Sequence, residues 1–107
     1  MNFSDLGKMQ EMVAHARQMQ EEMEQKLAET VVEAETGGGM VRVRMNGKKE
    51  VLRIIIEPTA LGASTGDIEL LEDLIAAAVN EAGRRADEAA KSSVAGMMGG
   101  LNIPGLE

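Results

Sequence analysis

The chain has 107 residues and a net charge of −7, with one Phe, no Trp, no Tyr, no Cys and nine Met. That length holds one small domain; the near-absence of aromatics excludes base stacking as a recognition mode, and the absence of cysteine excludes disulfides, thiol catalysis and cysteine-based zinc sites. No apolar run approaches the ~20 residues that span a bilayer, and no basic-then-apolar leader opens the chain, so the expectation is a soluble cytoplasmic protein.

From Ser4 to Leu27 the spacing predicts an amphipathic helix, with Ser4 or Asp5 as N-cap. Leu6, Met9, Val13, Ala16 and Met23 recur at steps of three and four, Met12 and Met19 widen the stripe, and the other face is rich in Gln and Glu. Glu22 and Lys26 are spaced for an i,i+4 pair, and Phe3 is read as a small plug at the helix entrance. At Thr30 the period becomes two: Val32 and Ala34 share one face of a first strand, and Glu33 and Glu35 share the other.

Gly37-Gly38-Gly39 allows a chain reversal. In the second strand, Met40 to Met45, Val41, Val43 and Met45 alternate with Arg42 and Arg44, which gives one apolar and one basic face. Asn46-Gly47 is a two-residue hairpin signal. The third strand, Glu50 to Glu57, places Leu52, Ile54 and Ile56 with Val41 and Val43. Its other face, Val51, Arg53 and Ile55, is apolar enough to need partial cover. Pro58 ends the sheet, and 59–66 reads as a loop. A second helix follows from Asp67 to Val94, capped by Thr65 or Asp67. Its seam is Ile68, Leu71, Ile75, Ala78 and Ala82, with alanines beyond that admit another helix closely.

The fold expected is therefore α+β: a helix, a three-stranded antiparallel β-β-β meander and a long helix, in two layers, over residues 1–94, with 95–107 a flexible Gly/Met-rich tail. Both helices are longer than the strands, so their apolar stripes run past the sheet, and a second copy of the chain is the simplest cover. A homodimer is expected.

No catalytic or metal constellation emerges. His15 is the single histidine and lacks a neighbouring nucleophile, the carboxylates look like solvated helix faces, and the glycine run joins two strands without the Gly-Lys-Ser/Thr of a phosphate loop. No cofactor and no metal are expected. The charge is unevenly spread: 40–57 holds two acids and five bases, whereas 1–29 holds six acids and three bases and 58–107 eight and three. Arg42, Arg44 and Arg53 share the outer sheet face by parity, Lys48 and Lys49 stand at the hairpin, and Arg84, Arg85 and Lys91 lie on the second helix. Such a surface suits phosphate neutralisation with little base readout. A competing reading pairs these bases with Glu33, Glu35 and Glu57 and makes the protein an acidic interaction module, binding partners through its Met-rich stripe and through Met97, Met98, Leu101 and Ile103.

The order of features resembles the YbaB/EbfC family of bacterial nucleoid-associated proteins along nearly the whole chain. The similar stretches are Lys8-Met9-Gln10 and Gln18-Met19-Gln20; Gly39-Met40-Val41-Arg42-Val43 with Asn46-Gly47; Glu57-Pro58; Leu71-Glu72-Asp73-Leu74; Ala76-Ala77-Ala78; and Asn80-Glu81-Ala82. The resemblance implies a tweezer-like dimer that binds double-stranded DNA and alters its conformation, with a link to replication or recombination-repair proteins. It also implies DNA contacts from the helices flanking the gap, which match Lys8, Arg17, Arg84, Arg85 and Lys91 here. The sequence departs from the family's pattern at Gly83, where alanine is more usual, in a longer loop at Gly62 to Gly66, and in a first helix with more glutamates and fewer lysines.

Overall fold

The computed structural model describes residues 3–58 and 65–99, with the side chains of 65–66 and 97–99 left aside. The elements are helix α1 (Phe3–Glu29), strands β1 (Val31–Thr36), β2 (Val41–Asn46) and β3 (Val51–Ile56), and helix α2 (Thr65–Gly99). The sheet is the expected meander in the order β1-β2-β3, antiparallel throughout. Both helices run further than their patterning predicts, so Ser4, Asp5, Thr65 and Asp67 fall within first turns. Of the expected loop 59–66 and tail 95–107, residues 65–66 and 95–99 belong to α2 instead, and 59–64 and 100–107 lie outside the described residues.

The reversal between β1 and β2 is built on three consecutive left-handed residues, with φ of 63°, 67° and 93° at Gly37, Gly38 and Gly39. Side chains other than glycine rarely adopt that geometry even singly. The other reversal differs from the two-residue turn expected at Asn46-Gly47. Asn46 N–H donates to Glu50 O (3.1 Å) and Lys49 N–H to Asn46 O (3.0 Å), which encloses Gly47, Lys48 and Lys49. The left-handed position is Lys49, at φ 66°, as in three-residue hairpins that end in a bulge. Asn46 holds the loop from within: its buried Oδ1 accepts from the Lys48 and Glu50 N–H groups, both at 3.0 Å, and its Nδ2 donates to Glu50 Oε1 at 2.9 Å.

Gly47 serves a different need. Its N–H donates to Leu27 O (2.8 Å) and Thr30 O (2.9 Å), and a Cβ there would stand 2.9 Å from Leu27 O. The C-terminal end of α1 is thus seated on the β2–β3 turn, through a position that only glycine fits.

The β2–β3 register carries a bulge. Arg44 faces Arg53, but Met45 faces Val51, so Leu52 is the extra residue. This corrects the parity expected for the start of β3: Val51, not Leu52, shares the inner face with Met45, while Ile54 and Ile56 face Val43 and Val41 as the alternation predicts.

The core lies between α2 and the sheet. Ala34, Val41, Val43 and Met45 meet Ala78, Ala82 and Ala86, with Val32, Leu71, Leu74, Ile75 and Val79 packed around them. The alanines, at steps of four, bring β1 and β2 close to the helix; the partner of that stripe is the sheet rather than a second helix. At one end Thr36 Oγ1 donates to Leu74 O (2.7 Å), and at the other Lys49 Nζ lies 3.4 Å from Asp87. The intervening helix, about 20 Å at 1.5 Å per residue, matches the length of a six-residue strand. Residues 87–99 continue past the sheet at the β2–β3 turn, the same end at which α1 departs.

α1 buries no residue. Met19, Met23 and Leu27 are half-buried, and every residue from Phe3 to Gln18 is exposed, Phe3 at 92% rather than tucked in as a plug. Glu22 does not pair with Lys26; it accepts from Gln18 Nε2 at 3.3 Å. The result is an arm. The Cα radius of gyration is 21.1 Å, and the extents are 75 × 30 × 18 Å, against about 13 Å expected for a compact chain of this length.

Candidate nucleic-acid interface

Ten basic residues are candidates, and the fold divides them into two groups. Five are held by the protein's own acids. Across β1 and β2, Arg44 Nε donates to Glu33 Oε2 at 3.1 Å, and Arg42 Nε lies 3.7 Å from Glu35 Oε2, shielded from solvent and beyond hydrogen-bond length. Lys49 reaches Asp87. Arg84 Nε donates to Glu81 Oε2 at 2.9 Å, and Arg85 Nε is 3.5 Å from Glu81 Oε1. Arg85 also has a structural task, because its guanidinium donates to the Glu33 carbonyl at 2.6 Å and so covers the outer edge of β1. The hydrogen bond from Arg84, then its charge, holds the Glu81 carboxyl below its ordinary value, with Arg85 adding to the effect.

The other five, Lys8, Arg17, Lys48, Arg53 and Lys91, are exposed and form no ion pair among the described residues. Lys8 and Arg17 lie on α1, Lys91 on the α2 overhang and Lys48 on the β2–β3 turn. Arg53 lies on the outer sheet face beside Arg44. Unpaired cations can exchange condensed counterions for phosphates without first breaking an internal bond, whereas a paired arginine must give up its carboxylate.

Parity and helix spacing reveal which bases share a face. They miss the acids that neutralise half of them. Glu81 is the informative case: its i,i+3 and i,i+4 spacing to Arg84 and Arg85 is visible in the sequence as a helix pair, but the reach of Arg85 to Glu33 crosses 52 residues and leaves no local signal. His15 is exposed on α1. No group of three His, Cys, Asp or Glu side chains suited to a metal occurs among the described residues, and no helix there is long and apolar enough to cross a membrane.

The structure is of the α+β class, a two-layer body with a helical arm and exposed cations that form no ion pair among the described residues. The YbaB/EbfC DNA-binding family model matches residues 6–101. A nucleoid-associated protein of Acidobacterium capsulatum is 59% identical over 91% of this chain and 93% of its own, and one of Legionella pneumophila strain Corby is 43% identical over 94% and 87%. The crystal structure of an uncharacterised Helicobacter pylori protein superposes with a TM-score of 0.69 at 26% identity, covering 92% of this chain and 98% of that one. The chain belongs to the YbaB/EbfC DNA-binding family, whose curated members here are named nucleoid-associated proteins.

Proposed function

We propose that the protein binds double-stranded DNA in the nucleoid as a homodimer, through phosphate contacts and deformation of the duplex, without catalysis. The observation that supports this most is that Lys8 and Arg17 on the arm, Lys48 on the turn from which it springs and Lys91 on the α2 overhang are all exposed and without internal ion-pair partners among the described residues. Base readout has little to work with, since the chain has a single aromatic residue and the free cations stand on flexible stems. Bending a duplex between two arms is the more natural use of such a surface.

Dimerisation supplies the second arm. At the edge of β1 the Glu33 carbonyl is taken by Arg85, whereas β3 is an edge with exposed Val51, Leu52 and Ile54, and α2 lies over β1 and β2 instead. An uncovered apolar edge strand is a template for strand pairing, so two copies joined through β3 would bury it and set two arms around one gap.

The test is duplex binding by fluorescence anisotropy across a salt series, comparing the native chain with a Lys8→Ala, Arg17→Ala, Lys91→Ala variant. At ~0.9 per phosphate, and with the triple change present twice in a dimer, the log–log slope should flatten by up to ~5.4. An unchanged slope would remove the arm from the interface, and no binding at low salt would overturn the reading.

A further inference from the structure

Asn46-Gly47 has a chemical property apart from its place in the turn. Of Asn2, Asn46, Asn80 and Asn102, only Asn46 precedes a glycine. An asparagine side chain cyclises when the backbone nitrogen of the next residue attacks its Cγ, and a glycine there has no Cβ to hinder the approach. The fold cannot replace that glycine with a bulkier residue, because a Cβ at position 47 would stand 2.9 Å from Leu27 O. The closeness that seats α1 therefore keeps the chain's most easily cyclised asparagine linkage in place. The electrophile is ready. Asn46 Oδ1, where negative charge collects when Cγ is attacked, already accepts from the Lys48 and Glu50 N–H groups, both at 3.0 Å, and backbone donors so placed stabilise an oxyanion. The nucleophile is withheld. Gly47 is buried and its N–H is bound by Leu27 O at 2.8 Å and Thr30 O at 2.9 Å, which keeps base from the proton that must leave the nitrogen before it attacks.

We propose that Asn46 is a deamidation site whose rate is set by the seat of α1. The carbonyls that hold Gly47 N–H belong to the last turn of α1 and the residue just after it, whereas the donors to Oδ1 belong to the β2–β3 turn itself. Lifting the end of α1 frees the nucleophile and leaves the polarised amide where it is. Base then removes the Gly47 N–H proton, the nitrogen bonds to Asn46 Cγ, and the Cγ–Nδ2 bond breaks as Nδ2 takes a proton from water and departs as ammonia. Water opens the cyclic imide, at Cγ to give aspartate or at the backbone carbonyl carbon of residue 46 to give isoaspartate. Neither product restores the turn. Asn46 Nδ2 donates to Glu50 Oε1 at 2.9 Å; in the aspartate a carboxylate oxygen with no proton to give takes its place, and the like charges repel. In the isoaspartate an added methylene enters the backbone between β2 and Gly47 and shifts the N–H that seats α1. A transient lifting of the helix end thus becomes a lasting one.

Peptide mapping of the full-length chain aged in mildly alkaline buffer measures the reaction at Asn46, and the same chain in concentrated urea gives the rate without structure. The folded chain should deamidate at least about tenfold more slowly, as a reaction confined to a locally opened state does. Amide hydrogen exchange at Gly47 needs base at the same nitrogen, so folding should slow both reactions by the same factor, and both should rise together in sub-denaturing urea. A Leu27→Gly, Thr30→Ala variant weakens the last turn of α1, where Thr30 Oγ1 donates to Lys26 O, and should accelerate both while the amides of Val41 to Met45 stay protected. The comparison in the native chain needs no substitution and stands whether or not the variant folds. Equal deamidation in the folded and unfolded chains would overturn the inference. So would exchange at Gly47 that rises in dilute urea while deamidation does not, since the protection would then lie in the turn and not in the seat. An Asn46→Asp chain should exchange faster at residues 24–29 than the native chain; native exchange there would remove the lasting effect on α1.

Discussion

Gly83 and Glu81 are neighbours on α2 whose roles separate once their surroundings are known. Gly83 lies inside the helix, and a Cβ there would meet Lys49 Cε at 3.5 Å, an ordinary van der Waals contact. Nothing at the site requires glycine, and its helix interior position costs about 1 kcal/mol relative to alanine. Gly83→Ala should therefore raise the thermal midpoint by roughly 4–8 °C for a domain near 100 residues; a scanning-calorimetry midpoint equal to or below the native value would refute this. Glu81 carries a pH signature. Its folded pKa lies below its ordinary value of 4.5, so the stability it contributes is present above that value and is lost as pH falls through the folded pKa. The carboxyl is solvent-accessible, which makes the effect small and salt-screened. The stability gap between native and Glu81→Gln chains, measured by urea unfolding at low salt, should shrink from neutral pH to below 4.5. A gap that widens on acidification contradicts the sign.

At the scale of elements, α1 is attached rather than packed. Its seat is the pair of hydrogen bonds from Gly47 N–H to Leu27 O and Thr30 O, with Thr30 Oγ1 donating to Lys26 O at 2.7 Å to finish the last turn. A Cβ at position 47 would press on Leu27 O at 2.9 Å and Leu27 Cα at 3.2 Å, both backbone atoms. Gly47→Ala should cost about 1–3 kcal/mol, in the range of strained or unpaired backbone groups, and the loss should concentrate in α1. Amide hydrogen exchange would show residues 24–29 exchanging faster while β2 stays protected. Uniform loss across the sheet would mean that Gly47 supports the core instead. α2, by contrast, is held along its whole middle by alanines with no accessible surface.

At the scale of the whole molecule, Val51, Leu52 and Ile54 on β3 and Ile68 and Leu70 at the start of α2 are exposed large apolar side chains, a kind of surface that a partner copy can cover. If pairing through β3 completes it, Leu52→Lys with Ile54→Lys should convert a dimer into a folded monomer in sedimentation, by placing charge on the shared edge. A native chain that sediments as a monomer at every concentration tested would end the tweezer reading. The net charge of −7 is unevenly spread, and only 40–57, with five bases and two acids, is positive, so local potential rather than the total would govern an encounter with a polyanion.

Alternation at Val41-Arg42-Val43-Arg44 and at Val32 to Glu35 specified two of the strands and which face of each is buried, because a one-residue slip would turn the valines to solvent. The helical stripes and the glycine run specified the remaining order, and the motifs identified the family. Tertiary structure decided the rest. The bulge that turns Val51 inward, the closeness that reserves position 47 for glycine, and the reach of Arg85 to the β1 edge depend on atoms brought together from distant parts of the chain. The same holds for which cations remain free: a base and its acid can be counted in a sequence, but their pairing is set by distance, and distance exists only after folding.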